Sequence, residues 1–83
     1  MVRYFFHLHE CGRLTEDREG IECASREEAM DVALSSARDV MVGELRAGKL
    51  CLACYITITE GSNGEIGRVR FRDAVSVSGL AAA

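Results

Sequence analysis

The feature that most constrains this chain is the alternation through Cys54-Tyr55-Ile56-Thr57-Ile58-Thr59-Glu60, which stops at Gly61-Ser62-Asn63-Gly64 and resumes from Glu65 to about Arg72. Side chains along a strand point to opposite faces in turn, so a period of two on both sides of a glycine-containing turn specifies an antiparallel hairpin. On that reading Ile56 and Ile58 share one face, with Tyr55, Thr57 and Thr59 opposite. In the returning strand Val69 and Phe71 share a face, and Arg68, Arg70 and Arg72 share the other. The hairpin is therefore apolar on one side and basic, aromatic and hydroxylic on the other, and the rest of the chain must cover the apolar side.

Two segments can do so. Residues 2–9, Val-Arg-Tyr-Phe-Phe-His-Leu-His, are rich in aromatic and β-branched types and read as a strand, with Tyr4, Phe6 and Leu8 on one face and Arg3, Phe5, His7 and His9 on the other. A turn signal follows at Glu16-Asp17-Arg18-Glu19-Gly20, then a short alternating piece, Ile21-Glu22-Cys23, that can pair back on the first strand. Ser25-Arg26-Glu27-Glu28 forms a capping box, in which the Ser25 hydroxyl accepts from the Glu28 N–H and the Glu28 carboxylate accepts from the Ser25 N–H. Ala29, Val32, Ala33, Ser36, Ala37, Val40, Met41 and Leu45 then recur at helical spacing, with Met30 and Leu34 widening the stripe, and Gly48 stands where a left-handed residue ends a helix, which predicts a helix over 26–47. Val75 and Val77 extend the last strand or begin a short tail element.

The predicted fold class is α+β, in the order β-β-α-β-β, with one helix on one face of a mostly antiparallel sheet. Tyr4, Phe6, Leu8, Ile56, Ile58, Val69 and Phe71 would lie beneath Ala29, Val32, Ala33, Val40, Met41 and Leu45. At 83 residues there is room for one domain, expected over 1–78 with a tail at 79–83. The absence of a long apolar run or a signal-peptide pattern makes a cytoplasmic location, away from membranes, the expectation. In such a compartment the four cysteines are expected as thiols.

Five stretches together, Arg3-Tyr4-Phe5-Phe6-His7-x-His9, Asp17-x-Glu19-Gly20, Glu28-Ala29, Ser36-Ala37-Arg38-Asp39 and Phe71-Arg72-Asp73-Ala74-Val75, resemble a family of small bacterial proteins, frequent in alphaproteobacteria, described as a domain of unknown function. The resemblance spans nearly the whole chain and implies a bacterial cytoplasmic protein without an assigned activity. The cysteines depart from that family's pattern. A second, more limited likeness from Glu19 to Ala37 is to the corresponding part of HicB-type antitoxins.

The uncovered sheet face is the leading candidate site. By parity it presents Arg3, Phe5, His7, His9, Tyr55, Thr57, Thr59, Arg68, Arg70 and Arg72. Such a face suits a homodimer or another protein; arginines interleaved with aromatic rings also suit single-stranded nucleic acid, which would make the chain an antitoxin-like regulator. A net charge of −3 argues against attraction of polyanions in bulk, but it is unevenly spread. Residues 1–44 hold ten acids against five bases, whereas residues 45–83 hold three acids against five bases. The plainer alternative is a solvated face whose arginine stems shelter Phe5 and Tyr55. Cys51-Leu52-Ala53-Cys54 has zinc-knuckle spacing, and topology allows Cys11 and His9 to join it in a small zinc-stabilised module. Cys23 stands at the far end of the predicted helix and is excluded. No catalytic triad, phosphate-binding loop or paired carboxylates in an evident pocket are present, so the sequence points to a binding module without cofactor and not to an enzyme.

Overall fold

A computed structural model describes residues 1–61 and 63–79. Five strands form one antiparallel sheet: β1 (Val2–Glu10), β2 (Arg13–Thr15), β3 (Ile21–Cys23), β4 (Tyr55–Glu60) and β5 (Glu65–Arg70). A long helix, α1 (Arg26–Arg46), joins β3 to β4, and a single turn of helix, α2 (Phe71–Ala74), follows β5. The order is β-β-β-α-β-β-α, an α+β fold as the sequence implies. The strand the sequence does not disclose is β2, whose three residues are too few to show a period.

Both short strands pair with the same edge of β1. Leu8, His9 and Glu10 face Thr15, Leu14 and Arg13, while Val2, Arg3 and Tyr4 face Cys23, Glu22 and Ile21. The gap between them is closed by a side chain. The Asp17 carboxylate accepts from the Phe6 N–H at 3.0 Å and, within its own turn, from the Glu19 and Gly20 N–H groups at 3.1 Å each. Asp17 thus satisfies an edge amide that a continuous strand would otherwise have to pair. Gly20, at φ 71°, brings the chain so close to β1 that a β-carbon there would lie 2.8 Å from the Tyr4 carbonyl oxygen.

Ser25 caps α1 as expected, its hydroxyl accepting from the Glu28 N–H at 3.1 Å, but the reciprocal bond differs: the Glu28 carboxylate accepts from the Ala24 N–H. Gly48 takes φ 82° just beyond the helix. Ala29, Ala33, Ala37 and Met41 form the buried stripe, and their small side chains let the helix approach the sheet closely. At β5 that approach is tight enough that Gly67 would meet the Met30 sulfur at 3.2 Å if it carried a β-carbon. Beneath lie Tyr4, Ile56, Ile58 and Val69, closed at one end by Phe71 and Ala74.

Four expectations are corrected. Phe71 and Arg72 belong to α2, not to a strand, because the Phe71 N–H donates to the Cys54 carbonyl at 2.9 Å and the chain turns over the end of the core. Phe71 is fully buried all the same, and Arg72 leaves the sheet face. Of the two readings open for Val75 and Val77, a strand extension is ruled out, since neither residue is in a strand. Leu45 is 60% exposed, since the helix outruns the sheet. Finally, α1 lies over β4, β5 and β3 rather than along β1, so Phe6 and Leu8 are only half-buried. Of the expected tail, residues 80–83 lie outside the described residues. Among the described residues no helix is long and apolar enough to cross a membrane.

Candidate functional site

The face away from α1 carries the residues that alternation assigns to it, Arg72 excepted. Register aligns them in rows: Phe5 beside Thr59, His7 beside Thr57 and then Arg68, His9 beside Tyr55 and then Arg70. Arg3 sits opposite Glu22 on β3. A bulge after Ile58 sets Thr59 against Glu65, which adds a carboxylate to the face that simple alternation does not foresee.

This face is internally bonded. The His7 Nδ1 accepts from the Asp17 N–H at 3.1 Å, and its Nε2 lies 3.2 Å from the Thr59 hydroxyl. The His9 Nε2 lies 3.1 Å from the Thr57 hydroxyl, and its ring stacks on Tyr55 at 4.4 Å and 10°. The Arg68 guanidinium stands 4.6 Å over the same Tyr55 ring and pairs with Glu65 at 3.2 Å. Because β1 and β5 flank β4 on opposite sides, Tyr55 is clamped between His9 and Arg68. Arg3 pairs with Glu22 at 2.9 Å, leaving Arg70 as the arginine of this face without an ion pair among the described residues.

Asp17 is set from the same loop. Burial alone would raise its pKa, but the N–H groups of Phe6, Gly20 and Glu19 outweigh it and hold the carboxyl below its ordinary value. Across the sheet, the Arg26 guanidinium holds Glu60 below the usual range through a 2.9 Å ion pair that ties the start of α1 to the end of β4.

A second cluster lies at one end of the sheet. Cys11 and Gly12 form the two-residue loop between β1 and β2, with Glu10 opposite Arg13 and φ values of 45° and 82°. Two positive φ angles define the primed hairpin turn, whose first central position favours Asn, Asp or Gly, so cysteine there costs about 1 kcal/mol. The loop after α1 brings Cys51 and Cys54 to the same place, and the three Sγ atoms lie within 4.8 Å of one another, Cys11 and Cys51 at 3.4 Å. His9, expected as a fourth ligand, is not part of this group, because its ring is committed to Tyr55 and Thr57. Cys23 is buried at the other end of β1, opposite Val2. Burial and the neighbouring Cys51 push the Cys54 thiol up to about 12, while hydrogen bonds from Cys54 and Cys11 and the N–H of Ala53 lower that of Cys51.

On the helix side, the half-buried Phe6 and Leu8 floor a groove of about 450 Å³ whose wall is the loop Thr15–Glu19. Alternation correctly puts both residues on this face; what it cannot give is the lateral position of the helix that leaves them uncovered.

The model of a family described as "Domain of unknown function (DUF6894)" matches residues 3–72. No curated protein and no solved structure matches the chain.

Proposed function

The chain belongs to the family of that domain of unknown function, so its role has to be argued from its own surfaces, and we propose that it is a non-catalytic binding module that pairs with a second copy of itself. The observation that carries this reading is the off-centre helix: α1 lies mainly over β4 and β5 and leaves Phe6 and Leu8 only half-buried on the floor of the groove. Apolar surface gathered in a groove is what a partner removes from water, at about 25 cal/mol per Å².

Other surfaces are poorer candidates. The β5 edge carries Glu65, Arg68 and Arg70 and adjoins a bulge, both of which discourage strand addition, and the β1 edge is occupied by β2, Asp17 and β3. The open face has its rings and most of its arginines engaged with one another, and the clamped Tyr55 offers no free ring face for a base, which weighs against nucleic acid there.

Charge favours a second copy as the occupant. Glu16, Asp17 and Glu19 wall the groove with only Arg18 among them, whereas Arg70, at the end of β5, and Arg72, in α2, stand exposed and without ion pairs among the described residues. A second copy that brings either arginine to the acidic wall joins opposite charges beside Phe6 and Leu8.

Sedimentation velocity between 1 and 100 μM, roughly the range in which weak dimers dissociate, tests the proposal. The expected result is a dimer that weakens as salt rises and is lost in Leu8→Glu, while far-UV circular dichroism is unchanged. A monomer at every concentration, or a dimer untouched by Leu8→Glu, refutes it.

A further inference from the structure

We infer that Cys11, Cys51 and Cys54 form a binding site for a zinc ion, which would clamp the β1–β2 turn to the loop between α1 and β4. This site is separate from the groove and from the open sheet face, and it does not depend on self-association.

The geometry distinguishes a metal site from a disulfide. At a zinc–sulfur distance of about 2.3 Å, tetrahedral ligands lie about 3.8 Å apart, whereas a disulfide needs sulfurs at about 2.05 Å. The Cys11 and Cys51 sulfurs are 3.4 Å apart and all three sulfurs fall within 4.8 Å, so the cluster brackets the edge of a zinc tetrahedron. Three sulfurs converge from two loops that are 40 residues apart in sequence at the Cys11–Cys51 contact.

The surroundings are organised for the same end. Cys11 occupies the left-handed position of its turn as the one non-glycine residue with positive φ among the described residues, and only a residue with a β-carbon can deliver a thiol from there. Cys51 and Cys54 sit in the loop between α1 and β4 with the two-residue spacing of a zinc knuckle. The loop itself is held at both ends: the Cys51 N–H donates to the Glu44 carboxylate at 3.3 Å, and the Cys54 carbonyl accepts from the Phe71 N–H at 2.9 Å.

Beside the thiols opens a shallow cleft of about 280 Å³ lined by Glu10, Cys11, Arg13, Glu44, Lys49 and Cys51. Three thiolates around a dication leave one negative charge, in a cleft where Arg13 and Lys49 are balanced by Glu10 and Glu44. The fourth ligand is then a water in the cleft. Three soft sulfur donors select zinc over magnesium or calcium, which take oxygen.

The test is elemental analysis of the full chain purified under reducing conditions without chelator, with cobalt(II) titration of the zinc-free protein under argon. The expected result is about one equivalent of zinc per chain, and with cobalt a near-ultraviolet sulfur-to-metal band with the visible bands of a tetrahedral thiolate site. Cys23→Ser should retain the metal. Cys11→Gly relieves the turn and therefore folds, yet it should lose zinc affinity at least tenfold and weaken the cobalt band. Less than a tenth of an equivalent of zinc together with no cobalt–thiolate band overturns the inference. So does a Cys11–Cys51 disulfide that forms under mild oxidant equally fast with and without zinc.

Discussion

Gly20 sets how β3 meets β1, and replacing it by alanine separates two costs that glycine substitutions usually mix. The first is conformational. At φ 71° an added β-carbon costs about 1 kcal/mol wherever it stands. The second is local. The new atom would lie 2.8 Å from the Tyr4 carbonyl oxygen, 2.9 Å from the Arg3 Cγ and 2.9 Å from the Phe5 Cε2. Arg3 and Phe5 can swing aside, but the Tyr4 carbonyl belongs to β1, and Tyr4 is paired with Ile21 on one side and Glu60 on the other. Either β3 peels away or β1 shifts, for which overpacking adds about 1–3 kcal/mol. Gly48→Ala supplies the control, because Gly48 has φ 82° and no atom within 4 Å of its would-be β-carbon. For a domain of this size each kcal/mol lowers Tm by about 4–8 °C. Thermal unfolding followed by circular dichroism should therefore show Gly48→Ala down by roughly 4–8 °C and Gly20→Ala, at about 2–4 kcal/mol in all, down by roughly 8–32 °C, with urea midpoints in the same order. Equal losses in the two variants would mean that the approach of Gly20 to β1 carries no energetic weight, and the account of the closed edge would fail with it.

Asp17 is held below its unfolded pKa, so its contribution to stability is present above about pH 4 and is lost as pH falls through its folded value; Asp17→Asn should flatten the acid limb of the stability–pH curve, and an unchanged limb would count against the Asp17 network. The same variant leaves backbone donors poorly matched and should cost about 1–3 kcal/mol at pH 7 in urea unfolding. In zinc-free, reduced protein at pH 7.5, mass spectrometry of iodoacetamide products should find Cys51 alkylated first, with Cys54, raised to about 12, and the fully buried Cys23 reacting only once the chain unfolds. Prompt labelling of Cys54 would contradict that order.

Period-two patterns made the sheet legible, because strand parity is a local property. Ile56, Ile58 and Val69 fall beneath the helix and Tyr55, Thr57, Arg68 and Arg70 fall opposite, as alternation requires. Parity failed where the chain stopped being a strand. Phe71 and Arg72 continue the same alternation in sequence, but the Phe71 N–H is taken by Cys54, a contact made across 17 residues that no local pattern encodes. The three cysteines were partly legible: the two-residue spacing of Cys51 and Cys54 is visible in the sequence, and Cys11 follows from hairpin topology. His9 was not separable from them without knowing that Tyr55 stacks on its ring.

The lateral position of α1 is the point on which architecture and function meet. A helix whose sheet-facing stripe is Ala29, Ala33, Ala37 and Met41 has little reach sideways, so it settles mainly on β4 and β5, covers Tyr4 and Cys23 at one end of β1 and β3, and leaves Phe6 and Leu8 only half-buried. Gly67 and the Arg38 side chain draw it toward the β5 side, the first by leaving room for Met30 and the second by donating to the Ala74 carbonyl at 2.8 Å. Phe6 and Leu8 are left half-buried as the consequence of those choices and not through any irregularity of β1. Larger residues at Val32 and Ser36, on the opposite flank of the helix, would cover them within one chain. The small side chains there leave that cover to be supplied by a partner, and Ser36→Leu should therefore raise the stability of the monomer while weakening the dimer. If Ser36→Leu left sedimentation unchanged, the groove would not be the surface through which two copies meet.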